Sequence, residues 1–364
     1  MSQKFRLKDY VPTWVVVSAV LFGVCTVLTL ISRVSVPLAD FINSFVATPL
    51  RAFFAALTYI LPFSLFELIL ILLLPALALL IFILVKRAGD LASMIRGALS
   101  VVGVILILIS WYDIVMAIPY NVTPLADRLG IEEKKDISKD ELYSVTLEVL
   151  ERVNELSPLV DREDGIGDIG LTDHELSVQI SRAYEDLRDH YPFYFSFASR
   201  HKPIFFSGIM TDMGITGIYT YFTGEANVNT LYPDYDYAFT VAHEFAHQRG
   251  INRENEANFM AFLVLSHSES TFLQYSAYLN LFQYLASAIY STDKELYREL
   301  YASLDEGAIS DVRRSNEITR EHMDSPLYKL MNSVNDAYLK SNGTEGVVSY
   351  GYVVRLAVAY FNKN

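Results

Sequence analysis

Cysteine is almost absent from this sequence of 364 residues, and its single copy, Cys25, lies within an apolar run. One cysteine excludes an internal disulfide, and it also excludes a zinc site built on cysteine ligands. Basic residues are in deficit as well, with 29 Lys and Arg against 42 Asp and Glu, which gives a net charge of −13. Because phosphate binding requires a basic face, we predict that nucleic acid is not a partner.

The negative charge is unevenly distributed along the chain. Residues 1–118 hold eight Lys and Arg against five Asp and Glu, a balance of +3, whereas residues 119–364 hold 21 against 37, a balance of −16. The chain therefore divides near residue 118 into an apolar part and an acidic part. We predict that the acidic part forms a separate, water-soluble domain.

Apolar sequence is abundant in the first part. Hydrophobic residues make up 52% of the whole chain and the mean hydropathy is +0.26, which is high for a soluble protein. Three runs, at about 11–31, 61–85 and 98–118, are long enough to cross a bilayer. The first of them lacks the short core and the small-residue cleavage site of a signal peptide. We therefore predict three transmembrane helices that anchor residues 1–118 in the lipid bilayer.

Basic residues in the short connections predict the orientation of these helices. Lys4, Arg6 and Lys8 precede the first run and three more basic residues follow the second, whereas the longer connection between the first two runs holds two. This density favours a cytoplasmic N-terminus, and three crossings then place residues 119–364 outside the cytoplasm.

Two capping boxes predict helices early in the acidic part. Ser138 with Glu141, and Thr172 with Glu175, have the spacing at which a hydroxyl and a carboxylate satisfy the free N–H groups of a helix terminus. Apolar residues follow Ser138 at helical spacing, so we expect a helix to begin at each box.

The most informative stretch is His243-Glu244-x-x-His247, which is followed by Gly250. Residues four apart share one helix face, so both imidazoles can reach a single metal ion. Glu244 is placed to accept a proton from a water bound to that metal. Apolar neighbours predict that the helix is buried, and Gly250 suits a left-handed residue at its C-terminal end.

A catalytic zinc site needs a third protein ligand, for which Glu254 and Glu256 are both candidates. Residues 254–258 resemble the Glu-x-x-Ala-Asp/Asn element of the gluzincins, the zincin peptidases whose third ligand is a glutamate. That resemblance implies Glu254 as the ligand and Asn258 as the partner that orients a ligand histidine, with Glu256 as the alternative ligand. The spacing of the motif also resembles the metzincins, but their third ligand would fall on Arg253, which cannot bind a metal.

Strand-like sequence precedes the motif. Residues 202–209 and 217–222 are rich in Ile, Phe, Tyr and Thr, which predicts strands. In the zincins an antiparallel edge strand upstream of the motif helix lines the cleft and pairs with an extended substrate, and residues 223–229 lie at that place. An ordinary core hairpin explains the same residues.

Most of the chain resembles a little-characterised bacterial family of membrane-anchored proteins that are classed by this motif as zinc metallopeptidases. The resemblance is carried by residues 222–227, 243–250, 254–259, 334–339 and 346–350. It implies three N-terminal transmembrane α-helices followed by a mainly α-helical α+β zincin-like domain, at 119–364, with a small antiparallel sheet.

The expected function is therefore a zinc metallopeptidase, a hydrolase that acts on a peptide or protein substrate. His243, His247 and Glu254 would hold Zn²⁺, and Glu244 would act as the general base. Because the motif lies beyond all three spans, we expect cleavage outside the bilayer. Tyr350 is a candidate donor to the oxyanion, although a role in the core explains this tyrosine as well. Two alternatives stay open: a zinc-binding membrane sensor or scaffold, and a structural membrane protein in which the motif is accidental.

Overall fold

The computed structural model describes residues 10–86, 91–345 and 351–363, and these residues are mostly helical. The apolar part forms α1 (Thr13–Ser32), α2 (Val36–Tyr59), α3 (Leu65–Lys86) and α4 (Leu91–Asn121). Both α2 and α4 contain a π-helical turn, at Asn43–Ala47 and Asp113–Ala117 respectively.

Four helices in the described part of the chain are long and apolar enough to cross a membrane, where the sequence predicted three. Helices α1, α3 and α4 correspond to the three predicted runs, although α3 begins at Leu65 and α4 begins earlier, at Leu91, and ends at Asn121. The additional helix is α2, with a mean hydropathy of 1.3 against 2.4 to 2.9 for the others. Asp40 and Arg51 interrupt its apolar pattern, which is why it was not recognised from the sequence.

Helices α1 and α4 run side by side in the same direction. Near the N-terminal end of α1, a Cβ atom on Gly103, in the middle of α4, would lie 2.5 Å from the ring of Trp14, so only glycine permits this approach. Near their C-terminal ends, the side chain of Asn121 donates a hydrogen bond of 3.0 Å to Ser32 Oγ. Helix α3 connects back to the start of α4, and its own first turn lies against the acidic part.

The acidic part is a helical domain with two small sheets. Its helices are α5 (Leu125–Leu129), α6 (Lys139–Leu156), α7 (Asp173–His190), α8 (Ser207–Asp212), α9 (Asp234–Gln248), α10 (Glu254–Ser266), α11 (Thr271–Tyr290), α12 (Lys294–Ala302), α13 (Glu306–His322), α14 (Pro326–Ser341) and α15 (Val353–Phe361). Both predicted capping boxes are confirmed, at the N-termini of α6 and α7.

The larger sheet has three strands, β3 (Lys202–Ile204), β4 (Gly217–Thr220) and β5 (Glu225–Asn229), in the order β3-β5-β4. Strand β4 is antiparallel to β5, but β3 is parallel to it, so the sheet is mixed and not wholly antiparallel as predicted. The difference arises because α8 and β4 lie between β3 and β5 in the chain, a connection long enough to reverse the direction. A separate antiparallel pair joins β1 (Arg162–Glu163) to β2 (Ile166–Gly167).

The core of the domain surrounds α9 and α10. Val241, Ala242, Phe245 and Ala246 are fully buried, as predicted for the helix that carries the His-Glu-x-x-His motif. Helix α11 packs against α6, α9 and α10, and β5 packs on the other side of α9. The motif is therefore held between two layers of packed structure.

Reciprocal carboxylate contacts fasten α3 to the sheet. Glu225, at the start of β5, accepts hydrogen bonds from the backbone N–H groups of Leu65 and Phe66, each at 3.0 Å. Glu67, in the first turn of α3, accepts bonds from the backbone of Phe205 and Phe206, each at 2.9 Å. Each carboxylate satisfies N–H groups that would otherwise be unpaired, so the apolar part and the domain share one set of hydrogen bonds.

This junction predicts a loss of stability for Glu225→Ala. The variant removes the acceptor of two N–H groups at a buried helix terminus, and we expect the free energy of unfolding to fall by about 2 kcal/mol or more. Denaturation of the purified protein in detergent micelles measures the change. Glu148→Ala, an exposed position on α6, is the control and should shift the value by no more than about 0.5 kcal/mol. Equal shifts for the two variants would contradict the proposed contribution of the junction.

Candidate metal site

Helix α9 ends in a tight turn that directs the chain back towards the motif. The helix ends at Gln248, and Gly250 follows with a φ of 89°, the left-handed conformation predicted for it. A Cβ atom at Gly250 would lie 2.3 Å from Arg51 Nη2 and 2.7 Å from Asn43 Oδ1. Glycine is therefore required here by the backbone and also by the close approach of α2.

After this turn, α10 begins at Glu254 and places its carboxylate against both motif histidines. The Nε2 atoms of His243 and His247 are 3.0 Å apart. Glu254 Oε2 lies 3.2 Å from Nε2 of His243 and 3.6 Å from Nε2 of His247. Tetrahedral zinc with ligand bonds of about 2.0–2.1 Å separates its ligand atoms by about 3.3 Å. The three observed separations lie on both sides of that value, so the donor set fits zinc.

The protonation of His247 also suits a metal ligand. Its Nδ1 atom lies 2.8 Å from the carbonyl oxygen of Ile251, to which an Nδ1–H group donates. Nε2 is therefore the ring nitrogen that faces the cluster of His243, His247 and Glu254 and that can bind a metal in place of a proton, as in metal sites where the second ring nitrogen is held by a backbone acceptor.

The predicted role of Asn258 stays a prediction. Among the described residues, Asn258 accepts no hydrogen bond from the Nδ1 atom of His243 or of His247, and its side-chain nitrogen is buried without a partner. The Nδ1 atom of His243 is likewise buried without a partner. The side-chain nitrogen of Asn258 and the Nδ1 atom of His243 are therefore the polar atoms in and beside the cluster that lack a hydrogen-bond partner.

The electrostatics of the cluster favour a bound positive charge. Burial lowers the pKa of His247, but the facing carboxylate of Glu254 outweighs it and raises that pKa to about 9. Burial also acts against the ionised form of Glu254, yet the charge of His247 and hydrogen bonds from both histidines lower its pKa well below the ordinary range. Two imidazoles and one carboxylate around a common centre therefore attract a cation, whether a proton or a metal ion.

Glu244 lies beside this cluster and against strand β4. Its side chain is buried, which raises its pKa, and the two motif histidines partly offset that rise. A Cβ atom at Gly217 would lie 2.5 Å from Glu244 Oε1, so β4 approaches the carboxylate closely only because glycine stands there. The backbone N–H of Tyr219 donates a hydrogen bond to the same carboxylate.

The edge strands of the larger sheet are β3 and β4, and the segment at 223–229 is not at an edge. That segment forms β5, which pairs on both sides and is buried along its whole length. Its polar side chains bind neighbouring elements instead; Asn227 Oδ1, for example, accepts a bond of 2.6 Å from Ser64 Oγ. The strand adjacent to Glu244 is thus the one at 217–220.

The alternative ligand Glu256 lies away from the cluster. Its Oε1 atom accepts hydrogen bonds from the backbone N–H of Leu125 at 3.0 Å and from Arg253 at 2.9 Å. Tyr350 lies outside the described residues.

Two tyrosines that were not singled out from the sequence stand near the cluster. Tyr120, at the end of α4, and Tyr338, on α14, have rings 6.4 Å apart. Burial raises the pKa of the Tyr338 phenol, and the charge of Glu254 raises it further, so this hydroxyl is a protonated donor at neutral pH. The only sequence feature that could have pointed to Tyr338 is its place in the 334–339 segment that carries the family resemblance. The residue is far from the motif in the chain, so its proximity to Glu254 cannot be predicted from the sequence.

A family model described as "Protein of unknown function (DUF3810)" matches residues 43–358. The match begins within α2 and extends into α15, so it includes apolar helices as well as the domain. No curated protein matches this chain, and no solved structure matches it.

Proposed function

The chain belongs to the DUF3810 family of proteins of unknown function, and we propose that this member is a membrane-anchored zinc peptidase. The observation that carries the proposal is the set of three separations, 3.0, 3.2 and 3.6 Å, among the ligand atoms of His243, His247 and Glu254. Zinc held by these residues would polarise the scissile carbonyl and lower the pKa of a water molecule towards about 7.

Glu244 supplies the acid–base chemistry in this proposal. Its carboxylate is buried next to the two histidines and is held by the backbone of Tyr219. Its pKa is raised towards neutral pH, where a general base can both accept and release a proton. Glu244 would take the proton of the attacking water and deliver it to the leaving amine.

The substrate in this proposal is an extended peptide that runs beside β4. The strand is at the edge of the sheet and lies against Glu244 through Gly217, so a chain next to it passes the catalytic carboxylate. Pairing with an exposed strand edge is a common mode of peptide recognition.

The proposed location of the domain is outside the cytoplasm. Basic residues are denser before the first apolar run and after the second than in the connection between the first two. With the three crossings predicted from the sequence, this bias would give a cytoplasmic N-terminus and an extracytoplasmic domain.

The direct test is metal analysis of the purified full-length protein together with mass spectrometry of a peptide mixture incubated with it. We expect one zinc per chain, with cleavage products that disappear after chelation. A protein that binds no zinc under these conditions would overturn the proposal.

A donor to the oxyanion is expected from a tyrosine, and the candidates are Tyr338 and Tyr350. We expect Tyr338→Phe to lower kcat about 100-fold without change in zinc content, because it removes a protonated hydroxyl near Glu254. Tyr350→Phe is measured in parallel, and Tyr143→Phe, an exposed position on α6, serves as the control. A loss confined to Tyr350→Phe would assign the role to that residue instead.

A zinc-binding sensor is the second candidate, and one set of contacts favours it. Asn252, in the turn between two metal-binding residues, donates a hydrogen bond of 2.9 Å to the carbonyl oxygen of Met116 on α4. Arg51 of α2 donates to Val115 O at 2.6 Å and lies against Gly250. These bonds couple the cluster to apolar helices, which a sensor requires.

A further inference from the structure

We propose that α2 does not cross the bilayer but lies in the membrane interface, directly beneath the cluster of His243, His247 and Glu254. The substrates in this proposal are polypeptides tethered to the same membrane. The second half rests on the proposed peptidase function. The first half does not, because it depends only on how α2 is held.

Both ends of α2 contact the acidic domain. Near its start, Asp40 accepts hydrogen bonds from the backbone and the hydroxyl of Thr123, at 3.0 and 2.6 Å, and forms an ion pair with Arg128 at 2.9 Å. At its end, the carbonyl oxygens of Thr58 and Leu61 accept bonds of 2.7 and 2.6 Å from Lys202 Nζ. A helix of 24 residues is about 36 Å long, so a crossing would carry one end to the far side of the bilayer, away from the domain.

The faces of α2 are the reverse of those on a helix in water. The buried face holds the polar side chains of the helix that are directed into the protein, and apart from Ile42 its buried apolar residues are alanines. The buried polar residues are Asn43, Thr48, Arg51 and Thr58. The outer face is apolar, and several of its large side chains are more than half exposed: Phe41, Phe45, Phe53, Leu57 and, just past the helix, Ile60. This outer face carries no charged residue, and it is continuous in sequence with the apolar helices α1 and α3. Hydrocarbon is the environment that such a face requires.

The direction of the other helices agrees with this placement. Helices α1 and α4 are parallel, and α3 runs from the domain back to the start of α4. If α1, α3 and α4 each cross the bilayer once, the parallel direction of α1 and α4 requires both ends of α2 to lie on the same side of the membrane. A fourth crossing would require α1 and α4 to be antiparallel.

The cluster consequently lies close to the bilayer surface. Trp111 and Tyr112 on α4 are the residue types that occupy the membrane–water interface. Met116, whose carbonyl binds Asn252, lies five residues beyond Trp111, which is about 7 Å along the helix axis. The turn between the metal-binding residues His247 and Glu254 is therefore one to two helical turns above the interface.

A second group of exposed apolar side chains extends this surface. Phe205 is 85% exposed, and Phe206 and Ile209 are also exposed. The backbone of Phe205 and Phe206 is bonded to Glu67 at the start of α3, which places these rings beside the point where α3 enters the apolar layer. The lipid-facing surface thus includes the domain itself.

This position selects the substrate class. A site one or two helical turns above the lipid surface can receive a chain that emerges from the bilayer, and a shared membrane raises the effective concentration of such a chain. A soluble peptide has no corresponding advantage. Polypeptides with a membrane anchor, cut close to that anchor, are the substrates that the placement of α2 predicts.

The placement of α2 is tested by cysteine labelling in the full-length protein. Val34→Cys and Pro62→Cys, in exposed positions just before and after α2, are each introduced into a Cys25→Ala background, with Lys86→Cys at the far end of α3. A membrane-impermeant maleimide is applied to intact cells and to inverted vesicles. We expect the first two cysteines to react in the same preparation and the third in the other. Reaction of Val34→Cys and Pro62→Cys in opposite preparations would overturn the interfacial placement.

The substrate class is tested in proteoliposomes that contain the zinc-loaded protein. One peptide is compared with the same peptide joined to a transmembrane anchor in the same vesicles, at equal total concentration. We expect the anchored form to be cleaved at least about 10-fold faster. Equal rates would overturn the substrate class while leaving a peptidase. Cleavage of neither form would overturn the peptidase and the substrate class together, and the labelling result would still decide the position of α2.

Discussion

Glu244→Gln is expected to reduce peptide cleavage by about 1,000-fold or more while the protein retains its full complement of zinc. The amide has nearly the shape of the carboxylate but cannot accept a proton, so the variant removes the general base alone. Glu244 is not among the three residues of the candidate metal site, and zinc content should therefore be unchanged. Cleavage is followed by mass spectrometry and zinc by elemental analysis of the same sample.

Glu148→Gln, an exposed glutamate on α6, is the matched control and should keep wild-type activity. Wild-type cleavage by Glu244→Gln would exclude this residue as the base. The same variant separates the two candidate functions in cells, because a sensor that only binds zinc should give a normal phenotype when Glu244 is replaced.

Glu254→Ala is expected to weaken zinc binding by more than about 100-fold, whereas Glu256→Ala should leave the affinity close to that of the wild-type protein. Glu254 Oε2 lies within 3.2 to 3.6 Å of both histidine Nε2 atoms. Removing a direct ligand should exceed the 10–100-fold effects of residues that only support ligands. Competition with a chromophoric chelator measures both affinities.

Glu256→Ala is a stringent control, because this glutamate is buried and lies in the same first helical turn as Glu254. It accepts bonds from Leu125 and Arg253, so we expect its replacement to lower the melting temperature without loss of zinc. If Glu256→Ala abolished zinc binding and Glu254→Ala did not, the assigned ligand set would be wrong.

The local features of the site could be predicted from the sequence because each depends on residues a few positions apart. Four-residue spacing places His243 and His247 on one helix face whatever surrounds the helix. Gly250 adopts the left-handed conformation because a helix terminus requires it there, and the capping boxes at Ser138 and Thr172 form within single turns. Long apolar runs likewise predicted three of the apolar helices from composition alone.

The choice between Glu254 and Glu256 needed the tertiary structure. The side chains of two helical residues that are two positions apart differ in direction by about 200° around the helix axis. Only one of Glu254 and Glu256 can therefore face α9. Which one does so depends on the packing of α10 against α9 and on the turn at Gly250, which closes against Arg51 and Asn43 from a distant part of the chain.

The surroundings of the motif were decided in the same way. Alternating apolar residues predict strands but not their order, so β4 and not β5 proved to be the edge beside Glu244. The additional apolar helix, α2, combines buried polar residues with exposed aromatic rings, a pattern whose inner and outer faces are defined only by the domain packed on it. The sequence by itself determined the residue types of the candidate metal site and their local geometry. Contacts between residues far apart in the chain decided which glutamate faces the two histidines, which strand lies beside Glu244 and how the site is connected to the apolar helices, because no local pattern records them.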